Sequence, residues 1–121
     1  MNRRQFAMGS SALALAACAH ARDASAQQAA VWRQLATEPY RGKQDDISFV
    51  DPDTGWYGNG AGKLYRTRNG GETWSLTWEQ PGTFIRALGF VDAQNGFLGN
   101  VGTNYYPGVT DTNPLYRTRD G

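Results

Sequence analysis

The chain has 121 residues, with 12 Lys plus Arg against 11 Asp plus Glu. That near-neutral balance holds no basic block of the kind that tracks a nucleic-acid backbone, which excludes nucleic acid as a partner class. Fifteen Gly, four Trp and 12% aromatics favour strands joined by tight turns over helices in the body of the chain after residue 30.

In chain order the first element is an address label. Residues 1–17, MNRRQFAMGSSALALAA, place Arg3 and Arg4 ahead of a short, mildly apolar stretch from Phe6 to Ala17. It is shorter than the roughly 20 apolar residues a membrane-spanning helix needs, so a signal helix that is removed is expected. Arg3, Arg4 and Phe6 resemble the twin-arginine export signal, with Phe one residue beyond the paired Arg. Gly9, Ser10 and Ser11 dilute the apolar region in a way that suits that route. An ordinary secretory signal carrying two Arg is the alternative.

Two cleavage positions stand open. Leu15-Ala16-Ala17-Cys18 resembles a lipobox, which implies cleavage before Cys18 and lipidation of that residue. Ala24-Ser25-Ala26 has the A-x-A form of a simple cleavage site, implying a start at Gln27. Either way the expectation is export across the bacterial inner membrane to the periplasm. A membrane is a partner only through the lipid anchor, if Cys18 is modified. Cys18 is the one cysteine, so no intrachain disulfide forms. With His20, the one histidine, it makes a two-ligand set too small for a closed zinc site. Neither a metal nor a cofactor is expected. Residues 18–30 are small and polar and read as a flexible tether.

The body, residues 31–121, repeats itself. Ile47-Ser-Phe49-Val-Asp51 and Gly55-Trp56-Tyr-Gly58-Asn59 align with Leu88-Gly-Phe90-Val-Asp92 and Gly96-Phe97-Leu-Gly99-Asn100 at an offset of 41 residues. Leu64-Tyr-Arg-Thr-Arg68-Asn-Gly70 aligns with Leu115-Tyr-Arg-Thr-Arg119-Asp-Gly121 at an offset of 51, so the second copy holds ten extra residues within Val101–Pro114. Each unit is expected to be four short strands. In the first copy these are Ile47–Val50, Trp56–Gly58, Lys63–Thr67 and Thr73–Trp78, separated by turns rich in Gly, Asp, Asn and Pro. Val31–Leu35, with Trp32 at the position of Trp74, is expected to be the last strand of a preceding unit.

Thr67-Arg68-Asn69-Gly70-Gly71-Glu72-Thr73-Trp74 resembles the Asp box, Ser/Thr-x-Asp-x-Gly-x-Thr-Trp, of BNR-repeat β-propellers. That family includes sialidases, some endoglucanases, sortilin-type receptors and photosystem II stability/assembly-factor-like proteins, and the last branch is the most similar. The resemblance implies an all-β fold of antiparallel four-stranded propeller blades, with the box as the hairpin between the third and fourth strands. Asn69 stands where the family prefers Asp. The second copy has Thr118 and Asp120 but stops before the Gly-x-Thr-Trp half. One complete unit and parts of two others fall short of the four or more blades that close a propeller. The expectation is therefore a partial propeller, part of a longer protein.

The chemistry expected of this body is structural. Asp45, Asp46, Asp51 and Asp53 are the one carboxylate cluster, and a glycosidase needs two carboxyl groups at a set separation. Asp51 recurs as Asp92, which marks a turn role, and no catalytic residue is assigned. Phe84-Ile85-Arg86-Ala87 is not the Arg-Ile-Pro motif of sialidases. Arg66, Arg68, Arg117 and Arg119 alternate around Thr67 and Thr118 and are expected on a solvated sheet face. The inserted stretch from Asn100 to Asn113 carries Tyr105 and Tyr106, the residues best suited to a protein or glycan partner. The functional expectation is a non-catalytic binding or assembly-factor-like module. The alternative is part of a glycoside hydrolase whose catalytic residues lie in other blades.

Overall fold

A computed structural model describes residues 29–121, and Arg33–Gly121 form one compact unit within it. The unit is all-β and antiparallel. Its first sheet is a meander of β1 (Asp46–Phe49), β2 (Gly55–Gly58), β3 (Lys63–Thr67) and β4 (Ser75–Glu79) in spatial order β1-β2-β3-β4. The second sheet has β5 (Ile85–Phe90), β6 (Gly96–Asn100) and β7 (Leu115–Thr118) in order β5-β6-β7. No helix among the described residues is long and apolar enough to cross a membrane.

The two sheets are copies in detail. Phe49 pairs with Gly55 as Phe90 pairs with Gly96, and Trp56 pairs with Arg66 as Phe97 pairs with Arg117. The paired glycines have a common cause. A Cβ on Gly55 would stand 2.6 Å from the Phe49 ring, and one on Gly96 would strike the Phe90 ring. Each glycine thus lets a cross-strand phenyl ring lie flat on the backbone.

The core lies between the sheets. Trp56, Leu64, Ile85 and Leu98 are buried there, with Val50, Trp78, Leu88, Phe90 and Tyr116 packed around them. Trp56 stacks on Phe90 with centroids 3.6 Å apart and planes 4° from parallel. Its Nε1–H donates to the Gly121 carbonyl at 3.1 Å, so the indole buries its apolar face without stranding its one donor. β2 and β5 approach so closely that a Cβ on Gly58 would stand 2.5 Å from Ile85 Cγ2. The Asp46 carboxylate links the sheets there, accepting from Leu88 N–H at 2.6 Å and Ile47 N–H at 2.9 Å.

The far face of the first sheet is covered by the segment leading into β1. Tyr57 and Tyr65 stack at 4.8 Å on that face. Glu38 accepts from Lys63 Nζ at 2.6 Å and from the Tyr65 hydroxyl. Burial and that carboxylate push the Tyr65 phenol well above its ordinary range.

Three expectations need correction. Val31–Leu35 forms no strand. The fourth strand starts at Ser75 rather than Thr73, because Thr73 N–H turns back to Asn69 Oδ1 at 3.0 Å. Arg66 is not on a solvated face. It is half-buried, its guanidinium lying 5.0 Å over the Trp56 ring while Nη2 donates to the Ala93 carbonyl of the second sheet at 3.0 Å. Burial, with Arg68 nearby, lowers its pKa.

Candidate functional site

Two features concentrate the distinctive residues: the box-like turn and the loop between β6 and β7. The turn joins β3 to β4. Gly70 and Gly71 take φ of +68° and +89°, a region that L side chains rarely adopt. Thr67, fully buried, accepts at Oγ1 from Gly71 N–H at 2.9 Å and Asn69 N–H at 3.3 Å. Its hydroxyl donates to Asn69 Oδ1 at 3.0 Å. Asn69 Oδ1 also accepts from Thr73 N–H, and Nδ2 donates to Thr73 Oγ1 at 2.9 Å. The Asn amide therefore supplies the acceptor an Asp would supply, plus a donor of its own. Trp74 then packs edge-on against Tyr57 at 4.8 Å and Phe49 at 6.1 Å. These bonds hold a tight turn closed.

A second, simpler turn recurs. Asp51 Oδ1 accepts from Asp53 N–H at 2.8 Å and Thr54 N–H at 2.7 Å. Asp92 Oδ1 does the same with Gln94 and Asn95 at 2.8 and 2.7 Å. The backbone donors lower the pKa of both carboxylates. Each turn also receives an equivalent glycine from the end of its copy's third strand: Gly70 N–H donates to the Asp53 carbonyl and Gly121 N–H to the Gln94 carbonyl, both at 2.9 Å. Thr118 and Asp120 reproduce the first half of the box, with the Thr118 hydroxyl donating to Asp120 Oδ1 at 2.9 Å.

The loop from Asn100 to Asn113 is tied down at its base. Asn100 accepts from Phe84 N–H at 3.1 Å and donates to the Asp111 carbonyl at 2.9 Å. Asp111 accepts from the Tyr116 hydroxyl at 2.7 Å, Asn113 N–H at 2.9 Å and the buried Thr83 hydroxyl. Those donors depress its pKa, Thr83 foremost. On this base Tyr105 stands 76% exposed. Tyr106 is half-buried, its ring stacked on Phe84 at 4.6 Å and 10°. The two adjacent tyrosines thus divide their roles, one free to make contacts and one anchoring the loop.

Sequence reasoning did not find the charged residues beside Tyr106. Lys43 Nζ lies 3.5 Å from its hydroxyl and 3.2 Å from the Asp45 carboxylate. Arg86 Nη1 meets the other Asp45 oxygen at 2.6 Å. Arg86, then Lys43, hold the Asp45 carboxyl below its ordinary range against the opposing cost of burial. No local signal joins residues 43, 45, 86 and 106, since the fold brings them together across sheet boundaries.

Among the described residues no group of three or more His, Cys, Asp or Glu is gathered to hold a metal. The export residues Arg3, Arg4 and Phe6 and the lipidation candidate Cys18 lie outside the described residues. No family model, curated protein or solved structure matches the chain.

Proposed function

We propose that the chain is an exported, non-catalytic module of an Asp-box β-propeller, and that it acts by binding, in the manner of an assembly factor. The observation that supports this reading is what its carboxylates do. Asp51 and Asp92 cap turns, Asp46 bridges the sheets, Asp111 anchors the loop, and Asp45 and Glu38 accept from cationic side chains. Acid–base cleavage of a glycoside needs two carboxyl groups facing a shared cleft, and these six are committed elsewhere. The repeated four-on-three strand registers support the propeller assignment, with each sheet as one blade or part of one. The contact surface is the exposed Tyr105 with Tyr106, Lys43 and Arg86 beside it: an aromatic with adjacent cations, suited to a protein surface.

The test places a photo-crosslinking amino acid at Tyr105 in the exporting cell, with Gln94, also exposed, as the control position. A discrete protein adduct at position 105 and none at 94 is the expected result. Equal labelling at both positions, or turnover of fluorogenic glycosides by the purified chain, contradicts the reading.

A further inference from the structure

We propose that the tyrosine-loop surface takes an acidic segment of a protein partner. An Asp or Glu carboxylate of that segment is held between Lys43 and Arg86, and an apolar neighbour of it lies on the Tyr105 ring. This rests on the reading of that surface as the contact face and adds the chemistry of what it contacts.

The first observation is an imbalance of charge built into the cluster. Lys43 and Arg86 share one carboxylate: Lys43 Nζ lies 3.2 Å from Asp45 Oδ1, and Arg86 Nη1 lies 2.6 Å from Oδ2. The shared acid is inside and the cations are outside. The Asp45 side chain is 8% exposed, against 51% for Lys43 and 53% for Arg86. Among the described residues no second carboxylate meets either cation. Asp46, beside the cluster in the chain, bonds to Leu88 N–H, and Asp111, at the base of the loop, bonds to Thr83, Asn113 and Tyr116. Two positive charges therefore stand over one negative charge, with ammonium and guanidinium donors left on the solvent side. A partner's carboxylate meets them from solvent as Asp45 meets them from beneath.

The second observation is that the cluster is held in place before anything binds. The Lys43 carbonyl accepts from Gly60 N–H at 3.1 Å, which pins the segment before β1 to the turn between β2 and β3. That turn lies against Phe84 so closely that a Cβ on Gly60 would stand 2.6 Å from its ring. Phe84 in turn carries the stacked Tyr106 ring, whose hydroxyl is 3.5 Å from Lys43 Nζ. Ordering of this kind lowers the entropic cost of binding.

The third observation is the aromatic beside the charges. Tyr105 is 76% exposed. The Asp45 carboxylate foremost, then the nearby phenols of Tyr106 and Tyr105, raise the pKa of Arg86. The flat exposed ring thus accompanies the guanidinium and offers an apolar face next to the cationic one. The cluster sits where the starts of β1 and β5 come together and is built from segments of both sheets. Its exposure does not depend on what adjoins β4 or β7.

The test titrates the isotopically labelled full chain with a capped hexapeptide of alternating Glu and Pro, and with its Gln–Pro counterpart, read by NMR shifts. The proline rings keep the probe extended and present flat apolar faces. Saturable shifts at Lys43, Arg86 and Tyr105 are expected with the Glu–Pro peptide, and at least about fivefold weaker binding with the Gln–Pro peptide. Lys43→Gln leaves the Arg86–Asp45 pair in place and is expected to weaken binding of the Glu–Pro peptide by about fivefold, the upper end for an exposed ion pair. Raising the ionic strength weakens it in the unaltered chain as well. Equal binding of the two peptides, indifference to Lys43→Gln, or shifts at these residues with phosphatidylglycerol vesicles and none with the peptide overturns the proposal. Repeating the crosslink at position 105 in the Lys43→Gln background separates this inference from the reading beneath it. An adduct that the substitution leaves undiminished overturns the acidic partner alone. No adduct even with Lys43 present overturns the contact surface and the acidic partner with it.

Discussion

The two sheets are nearly the same object in different surroundings. β1–β3 and β5–β7 share the register of their last two strands, a flattened phenyl over a glycine and an arginine over an aromatic ring: Arg66 lies 5.0 Å over Trp56 and Arg117 lies 5.7 Å over Phe97. Yet Trp56 is fully buried while Phe97 is 43% exposed. Nothing within either sheet accounts for this. The face bearing Trp56 meets the second sheet and the face bearing Phe97 meets solvent. The comparison separates what a repeat encodes locally, its turns and registers, from what only a neighbouring sheet supplies, its burial.

The sharpest way to break that comparison is to truncate the equivalent aromatics. Trp56→Ala removes the stack on Phe90, the platform under Arg66 and the bond to Gly121, and is expected to cost about 3–5 kcal/mol in denaturant unfolding. Phe97→Ala is expected to cost under about 1 kcal/mol, because half-exposed side chains have less burial to lose. Equal losses would mean that the neighbouring sheet contributes little.

Glycines provide a smaller contrast of the same kind. Gly58→Ala drives a Cβ to 2.5 Å from Ile85, whereas a Cβ on its counterpart Gly99 stands 3.5 Å from Ala87, an ordinary contact. The first is expected to cost about 1–3 kcal/mol through overpacking. The second is expected to stay within about 0.5 kcal/mol. Thermal melts of the two variants check this.

The turns come next. Asn69→Ala strands the buried Thr67 hydroxyl and the Thr73 N–H, with an expected loss of about 1–3 kcal/mol. Asn69→Asp keeps the acceptor and reverses the bond to Thr73 Oγ1, so it is expected to be nearly neutral. A large loss in Asn69→Asp, measured by chemical denaturation, would show that the amide donor carries the turn.

The smallest effect is on pH dependence, and it should be shared equally between the copies. Asp51 and Asp92 have depressed pKa values in the folded state, held there by backbone donors. Their stabilisation is present above the unfolded carboxylate range, about pH 4, and is lost as pH falls through the lower folded values. Asp51→Asn and Asp92→Asn should each flatten the acid limb of the melting curve to a similar extent while leaving its shape near neutrality unchanged.

Much of this was legible in the sequence. The constant offsets located both copies. The Gly, Asp and Asn positions marked the turns, because those residues meet specific backbone needs that do not depend on distant packing. β3 has the expected limits for the same reason, standing between two turns with strong local chemistry. Thr67, Asn69, Gly71, Thr73 and Trp74 were visible as a turn motif from their spacing.

What was not legible depends on contacts between residues far apart in the chain. Alternation puts Arg66 and Arg68 on one face, but it does not say that Ala93 waits above Arg66 alone. Val31–Leu35 matches Thr73–Leu76 in pattern, but among the described residues no strand pairs with it, and the pattern alone forms none. The cluster of Lys43, Asp45, Arg86 and Tyr106 left no trace in local spacing, because three segments far apart in the chain build it.

The central claim is that the two sheets are copies of one unit, stabilised as a single body through the Trp56–Phe90 face. Native-state hydrogen exchange on Phe90→Ala tests it most directly. Phe90 is in the second sheet, yet the account predicts that amides of β2 and β3 in the first lose protection together with those of β5 and β6, by the same free energy. Loss of protection in the second sheet alone, with β2 and β3 unchanged, would contradict it.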